Sequence, residues 1–176
     1  MFIKCFKYHG CGNDFIIINH NKNINYSEFT KKVCNRYIGI GADTLIVVDD
    51  KKEPSVRFFN ADGTEAPMCG NGIRCVARFL NDEYQRSEKV YTIKTLSGDR
   101  IVFCEDGLYK INMGKPDYSC AKLSINSEKK EFFEEMMPYD GKEIEVNAVY
   151  MTTHHLVIIV ENFDLIDNMG KYFCEK

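Results

Sequence analysis

The chain has 176 residues, 44% of them apolar and among them 12 Phe and 10 Tyr, enough for the core of one domain, or of one domain and part of a second. A net charge of −3 with both signs interspersed excludes a disordered tail and leaves no basic stripe for nucleic acid, so a small metabolite fits better. No run approaches the ~18 apolar residues of a membrane span, and the start MFIKCFKYHGCGNDF lacks a signal-peptide core, so a cytoplasmic chain with no membrane partner is expected.

In chain order, Phe2–Phe6 alternates as a strand does and Phe15–Asn19 is a β-branched run, with HGCGND between them as the turn of a β-hairpin. Phe29, Val33 and Tyr37 fall at helical spacing after Tyr26, with Ser27 as the cap and Gly39 as the stop. Leu45–Val48 and Val56–Phe59 read as strands separated by the charged turn DDKKEP, and NADGTE stops the second. Ile73, Val76, Ala77 and Leu80 mark one apolar face of a helix preceded by MCGNG. Val90–Thr95 and Arg100–Glu105 form a second hairpin around LSGD, and Tyr109–Met113 adds a strand. Gly114–Pro116 reads as a boundary, dividing a first domain, 1–116, from the beginning of a second, 117–176. Beyond a polar stretch, strands are expected at Ile144–Met151 and Leu156–Val160 and a helix at Leu165–Phe173.

The eight cysteines are Cys5, Cys11, Cys34, Cys69, Cys75, Cys104, Cys120 and Cys174. An even count implies disulfides in a short secreted chain; without a signal peptide, reduced thiols are the expectation. There is no CxxC pair and no zinc-ligand spacing of Cys and His, so no metal site is expected. Most of these residues, Cys75 within the helix among them, read as small buried hydrophobes.

Cys69 differs, because Cys69-Gly70-Asn71-Gly72 opens the Ile73 helix. A helix start offers unpaired N–H groups and partial positive charge, and glycines let an anion approach those amides. A carboxylate can dock there, and the same field favours the thiolate of a cysteine at that position. A base beside donors that stabilise an enediolate is what abstraction of an α-proton requires. The tetrapeptide equally suits a tight turn with an ordinary cysteine. Asn13 and Asp14 after Gly12, Asp43 after GIG, and Asn60 in NADG are further polar turns; asparagine both donates and accepts, which suits an amino acid, and each also reads as a turn-former. GIGAD lacks the spacing and ending of a phosphate loop. His155 after Thr152-Thr153-His154 can tune a thiol or serve structurally, while His9 and His20 read as turn or surface residues.

The series YHGCGNDF, GIGADTL, FFNADGTE, MCGNGIRCVARF and INMGKPDY, in this order, resembles the diaminopimelate epimerase family over about Phe2 to Val160. The resemblance implies an α/β (α+β) fold, a mixed or antiparallel sheet wrapped around a central helix, with a second similar domain left incomplete. It implies a cofactor-independent enzyme, without pyridoxal phosphate, in which two thiols facing across a cleft interconvert LL- and meso-diaminopimelate. Cys69 matches the first catalytic cysteine, and Gly70 and Asn71 match the residues whose amides hold the α-carboxylate. Asn13 and Asn60 match substrate-binding asparagines, and His155 matches a histidine near the thiols.

Two positions depart from the family: Thr153 replaces a substrate-binding asparagine, and Thr44 stands where some members have glutamine. The second catalytic cysteine lies in a glycine-rich turn after a Glu-Arg pair, and Cys174, in KYFCEK, has no such glycines. Inversion needs proton removal on one face and delivery on the other, beyond the reach of one cysteine. The 176 residues alone are therefore expected to be inactive, with a C-terminal half or a second copy as partner and an exposed apolar face that favours association. Two other functions use the same residues: a thiol hydrolase or transferase with Cys69 as nucleophile and His155 as base, or a non-catalytic binding half.

Overall fold

The structure is a computed structural model that describes residues 2–174, except for the side chains of residues 163 and 174. It forms two compact units that divide between Met113 and Gly114.

The first unit begins with β1 (Phe6–Gly10) and β2 (Asn13–Asn19), an antiparallel hairpin. The strand anticipated at Phe2–Phe6 thus lies later, and the turn narrows to Cys11-Gly12. Both turn residues take positive φ, 55° and 84°, the signature of a type I′ turn whose twist matches that of the flanking strands. Helix α1 (Tyr26–Val33) follows. Its cap is Asn25 rather than Ser27, because the Asn25 side chain accepts from the Glu28 amide. It also ends at Val33, six residues short of Gly39, since Asn35 accepts from the amides of Tyr37 and Ile38 and turns the chain there.

Strands β3 (Thr44–Asp49), β4 (Ser55–Asn60), β5 (Glu65–Ala66), β6 (Val90–Thr95), β7 (Gly98–Glu105) and β8 (Leu108–Ile111) complete one mixed sheet, with helix α2 (Gly70–Tyr84) between β5 and β6. The sheet order is β1-β2-β3-β4-β6-β7-β8, with β5 paired to β4. The pairs β2/β3 and β4/β6 are parallel and the others antiparallel.

Alternation assigns the two faces. Phe15, Ile17, Ile46, Val48, Val56 and Phe58 face α2, where they meet Ile73, Val76, Ala77 and Leu80. Ile16, Ile18, Leu45, Val47 and Phe59 face the opposite side, with Tyr26 and Val33 of α1. Strands covered on both faces read as continuous apolar runs, as FIII and LIVV do here. Helix α2 touches β1 and β2 near one edge and β7 and β8 at the other, so the sheet curls around it.

The second unit holds α3 (Cys120–Leu123), the three-stranded antiparallel sheet β9 (Glu135–Tyr139), β10 (Lys142–Tyr150) and β11 (His154–Val157), and α4 (Ile166–Cys174). β9 is not legible in the sequence because Glu135 and Pro138 hide the alternation. β11 starts two residues before Leu156 and ends at Val157, which places His154 in the strand rather than in the turn, with His155 next to it in the same strand. Val146, Met169 and Phe173 form the buried centre of this unit.

Candidate active site at the start of helix α2

The sheet register gathers the asparagines. Phe15 pairs with Thr44 at the start of the parallel strand β3, and Thr44 pairs with Asn60 at the end of the antiparallel strand β4. Asn13 begins β2, so Asn13, Thr44 and Asn60 share one end of the sheet. Thr44 is buried, Asn13 half-buried and Asn60 exposed, its amide donating to the Thr64 hydroxyl at 3.0 Å.

Cys69 is the N-cap of α2, extended at φ −140° and ψ 119°, and its side chain makes no capping bond. Its carbonyl instead accepts from the Ile73 amide. The sulfur is directed elsewhere: the thiol is half-buried and donates to Asn13 Oδ1 at 3.7 Å. Gly72 lets the helix start lie on the sheet, since a Cβ there would stand 2.7 Å from Phe58 Cε1. At Gly70 a Cβ would come to 3.1 Å from Met113 Sδ. The Asn71 side chain accepts from Arg74 one turn along α2.

Behind Asn13 stands an ion network. Asn13 Nδ2 donates to Asp43 Oδ2 at 2.9 Å, and Arg36 donates to Asp43 Oδ1 at 2.8 Å and to both oxygens of Asp14, at 2.7 and 3.0 Å. Lys7 adds a bond to Asp14 at 2.8 Å. The Arg36 guanidinium, helped by Lys7, holds the Asp14 carboxyl far below the usual carboxylate range, and Arg36 is itself shifted up by the two carboxylates. Sequence reasoning singled out Asp14 and Asp43 but missed Arg36 and Lys7. The only available signal was the lone cation just before GIGAD.

The other cysteines separate by burial. It pushes the Cys34 and Cys75 thiols up to about 11, and those of Cys5 and Cys104 upward as well. Cys11 is exposed at the hairpin tip, where Arg74 reaches its sulfur at 3.7 Å. Thr153 and His155 belong to the second unit, where Thr153 Oγ1 and His155 Nε2 are 2.9 Å apart. The side chain of Cys174 lies outside the described residues.

A hollow of about 1060 Å³ runs along α2 between the sheet edges β1 and β8, lined among others by Tyr8, Arg74, Arg78 and Tyr109. Cys69 is not in its lining; Arg74 connects its margin to Asn71. Among the described residues no helix is long and apolar enough to cross a membrane.

The family model described as diaminopimelate epimerase matches residues 5–119. A diaminopimelate epimerase of Caldanaerobacter subterraneus is 39% identical over 165 residues, covering 90% of this chain and 60% of the relative. One from Alkaliphilus metalliredigens is 37% identical over 183 residues, covering 97% and 65%. The chain thus spans about 60–65% of the length of these curated relatives. Among solved structures, a hydroxyproline epimerase from Agrobacterium vitis superposes with a TM-score of 0.61 at 11% identity, covering 96% of this chain and 53% of that one. A probable proline racemase from Agrobacterium radiobacter gives 0.62, also at 11% identity and with the same coverage. These two share the fold. With the family model matching well over half of its length, the chain belongs to the diaminopimelate epimerase family.

Proposed function

We propose that these residues supply one half of the active site of a cofactor-independent diaminopimelate epimerase, which interconverts the LL and meso forms by moving the α-proton between two thiols. The observation that carries this reading is the half-buried Cys69 sulfur at the start of α2, beside Asn13. Family membership of residues 5–119 supports it.

In this reading the Cys69 thiolate takes the α-proton while the first-turn amides at Gly70 and Asn71 hold the carboxylate, where enediolate charge develops. Asn13 and Asn60 contact the amino-acid substrate, and Thr44, buried between their strands, supports the floor of the site. His155, bonded to Thr153, tunes a thiol. The second thiol must come from the opposite face, so the 176 residues alone are inactive, and a C-terminal half or a second copy completes the site.

The test is exchange of the diaminopimelate α-hydrogen with solvent deuterium, followed by mass spectrometry, in the enzyme with both thiols present. Cys69→Ala should lower exchange by on the order of a thousandfold or more, as loss of a group acting directly on the reacting atom does. Full exchange in that variant would end the proposal.

A further inference from the structure

The geometry points to Asp43 as a positioning residue that locks the Asn13 amide with its oxygen toward Cys69, so that Asn13 holds a proton on that sulfur. The inference rests on the reading of Cys69 as the proton-transferring thiol.

An asparagine amide has two ends, and its neighbours decide which faces where. The Asp43 carboxylate only accepts. It takes the Asn13 amide at 2.9 Å, the Asp14 backbone N–H at 3.2 Å and Arg36 at 2.8 Å. A flipped Asn13 would set its carbonyl oxygen against that carboxylate, lose the bond and add repulsion. The amide therefore keeps one orientation, with Oδ1 3.7 Å from Cys69 Sγ. An amide oxygen can accept from S–H and offers nothing to S⁻.

Asn13 thus opposes the field of the α2 terminus, which favours the thiolate. A thiol that takes a proton in one direction of a reaction gives one in the other, and an acceptor for its S–H serves that second task. Further along the same helix Asn71 and Arg74 bond to each other, and the Cys75 thiol interacts with Cys69. The Asn13 side chain thus donates to Asp43 at one end and accepts from Cys69 at the other.

The test is the rate at which iodoacetamide alkylates Cys69 in the full 176-residue chain near neutral pH, followed by peptide mass spectrometry. A Cys11→Ser background removes the exposed thiol. Asn13→Ala, which deletes the acceptor and leaves the Arg36–Asp14–Asp43 network in place, should speed alkylation about three- to tenfold, the range for one lost hydrogen bond. Asp43→Asn frees the amide to turn its NH2 toward sulfur and should speed it similarly. The double variant should be no faster than Asn13→Ala alone. Cys34 and Cys75 report on loosening of the fold: both are buried and should stay slow in every variant. Should Asp43→Asn not fold, Asp43→Ser removes the same charge and takes its place.

An unchanged rate in Asn13→Ala overturns the inference, as does an Asp43 effect that persists in full without Asn13. Either result leaves the epimerase reading intact, because that reading fails on a separate signal, retained deuterium exchange in Cys69→Ala.

Discussion

Asp14 is where charge and fold stability meet in the first unit. Its carboxylate receives Arg36 twice, Lys7 once and the Asp43 amide, so its folded-state pKa lies below the unfolded value of about 3.9. A depressed carboxyl contributes stability that is present above the unfolded pKa and lost as pH falls toward the folded one. The chain should therefore lose stability below about pH 4, and Asp14→Asn should be less stable at neutral pH by on the order of 1 kcal/mol, with a shallower acid decline. The exposure of Arg36 keeps that figure small. Urea titrations at neutral and acid pH check this; parallel acid slopes for the two proteins would refute it. Little of the network was legible in the sequence. Arg36 lies 22 residues from Asp14 in sequence, and only the return of the chain after α1 brings its guanidinium there. Cys69 was legible because glycines just before an apolar helical pattern are a local signal.

The same contrast holds for the secondary-structure elements. α2 was readable from Ile73, Val76, Ala77 and Leu80, all buried against the sheet, while its close seating depends on Gly72, whose importance only the packing reveals. An alanine in a helix normally gains about 1 kcal/mol over glycine. At position 72 the new Cβ would meet Phe58 Cε1 at 2.7 Å and Ile46 Cδ1 at 3.1 Å, both side chains fully buried. Gly72→Ala is therefore expected to destabilise by about 1–3 kcal/mol, the cost of overpacking a filled core. A thermal midpoint equal to or above the wild type would contradict this packing account. At α1, Asn25→Ala should cost about 1 kcal/mol and Ser27→Ala far less, a difference that equilibrium unfolding resolves and that separates the observed cap from the one the sequence favoured. β9 and the early stop of α1 were missed for a shared reason: pairing with β10 overrides the poor strand propensity of Pro138, and the Asn35 turn ends the helical pattern, both through bonds that periodicity does not report.

Over the whole molecule, the two units differ in the extent of the cores they bury. The first carries cores on both faces of its sheet, with Phe15, Phe58 and Phe79 fully buried on one side and Ile16, Ile18 and Leu45 on the other. The residues of these two clusters all lie at or before Met113. The second buries Val146, Met169 and Phe173 and leaves Phe133, Met136, Leu156, Ile159 and Ile166 exposed, while the first, beside its larger cores, leaves Tyr37, Ile38, Ile40, Phe103 and Leu108 exposed. Leu156 and Ile166 also line an apolar hollow of about 280 Å³. Exposed patches of this kind bind hydrophobic dyes and promote association. A fragment ending at Met113 should consequently unfold in one cooperative transition, as domains with their own core do. It should also bind less anilinonaphthalene sulfonate than the 176-residue chain, whose excess signal should come from the apolar hollow of the second unit. Dye fluorescence and circular dichroism recorded during the same urea titration decide the matter. A fragment with no cooperative transition, or one as fluorescent as the entire chain, would mean that the first unit depends on contacts beyond its own two cores.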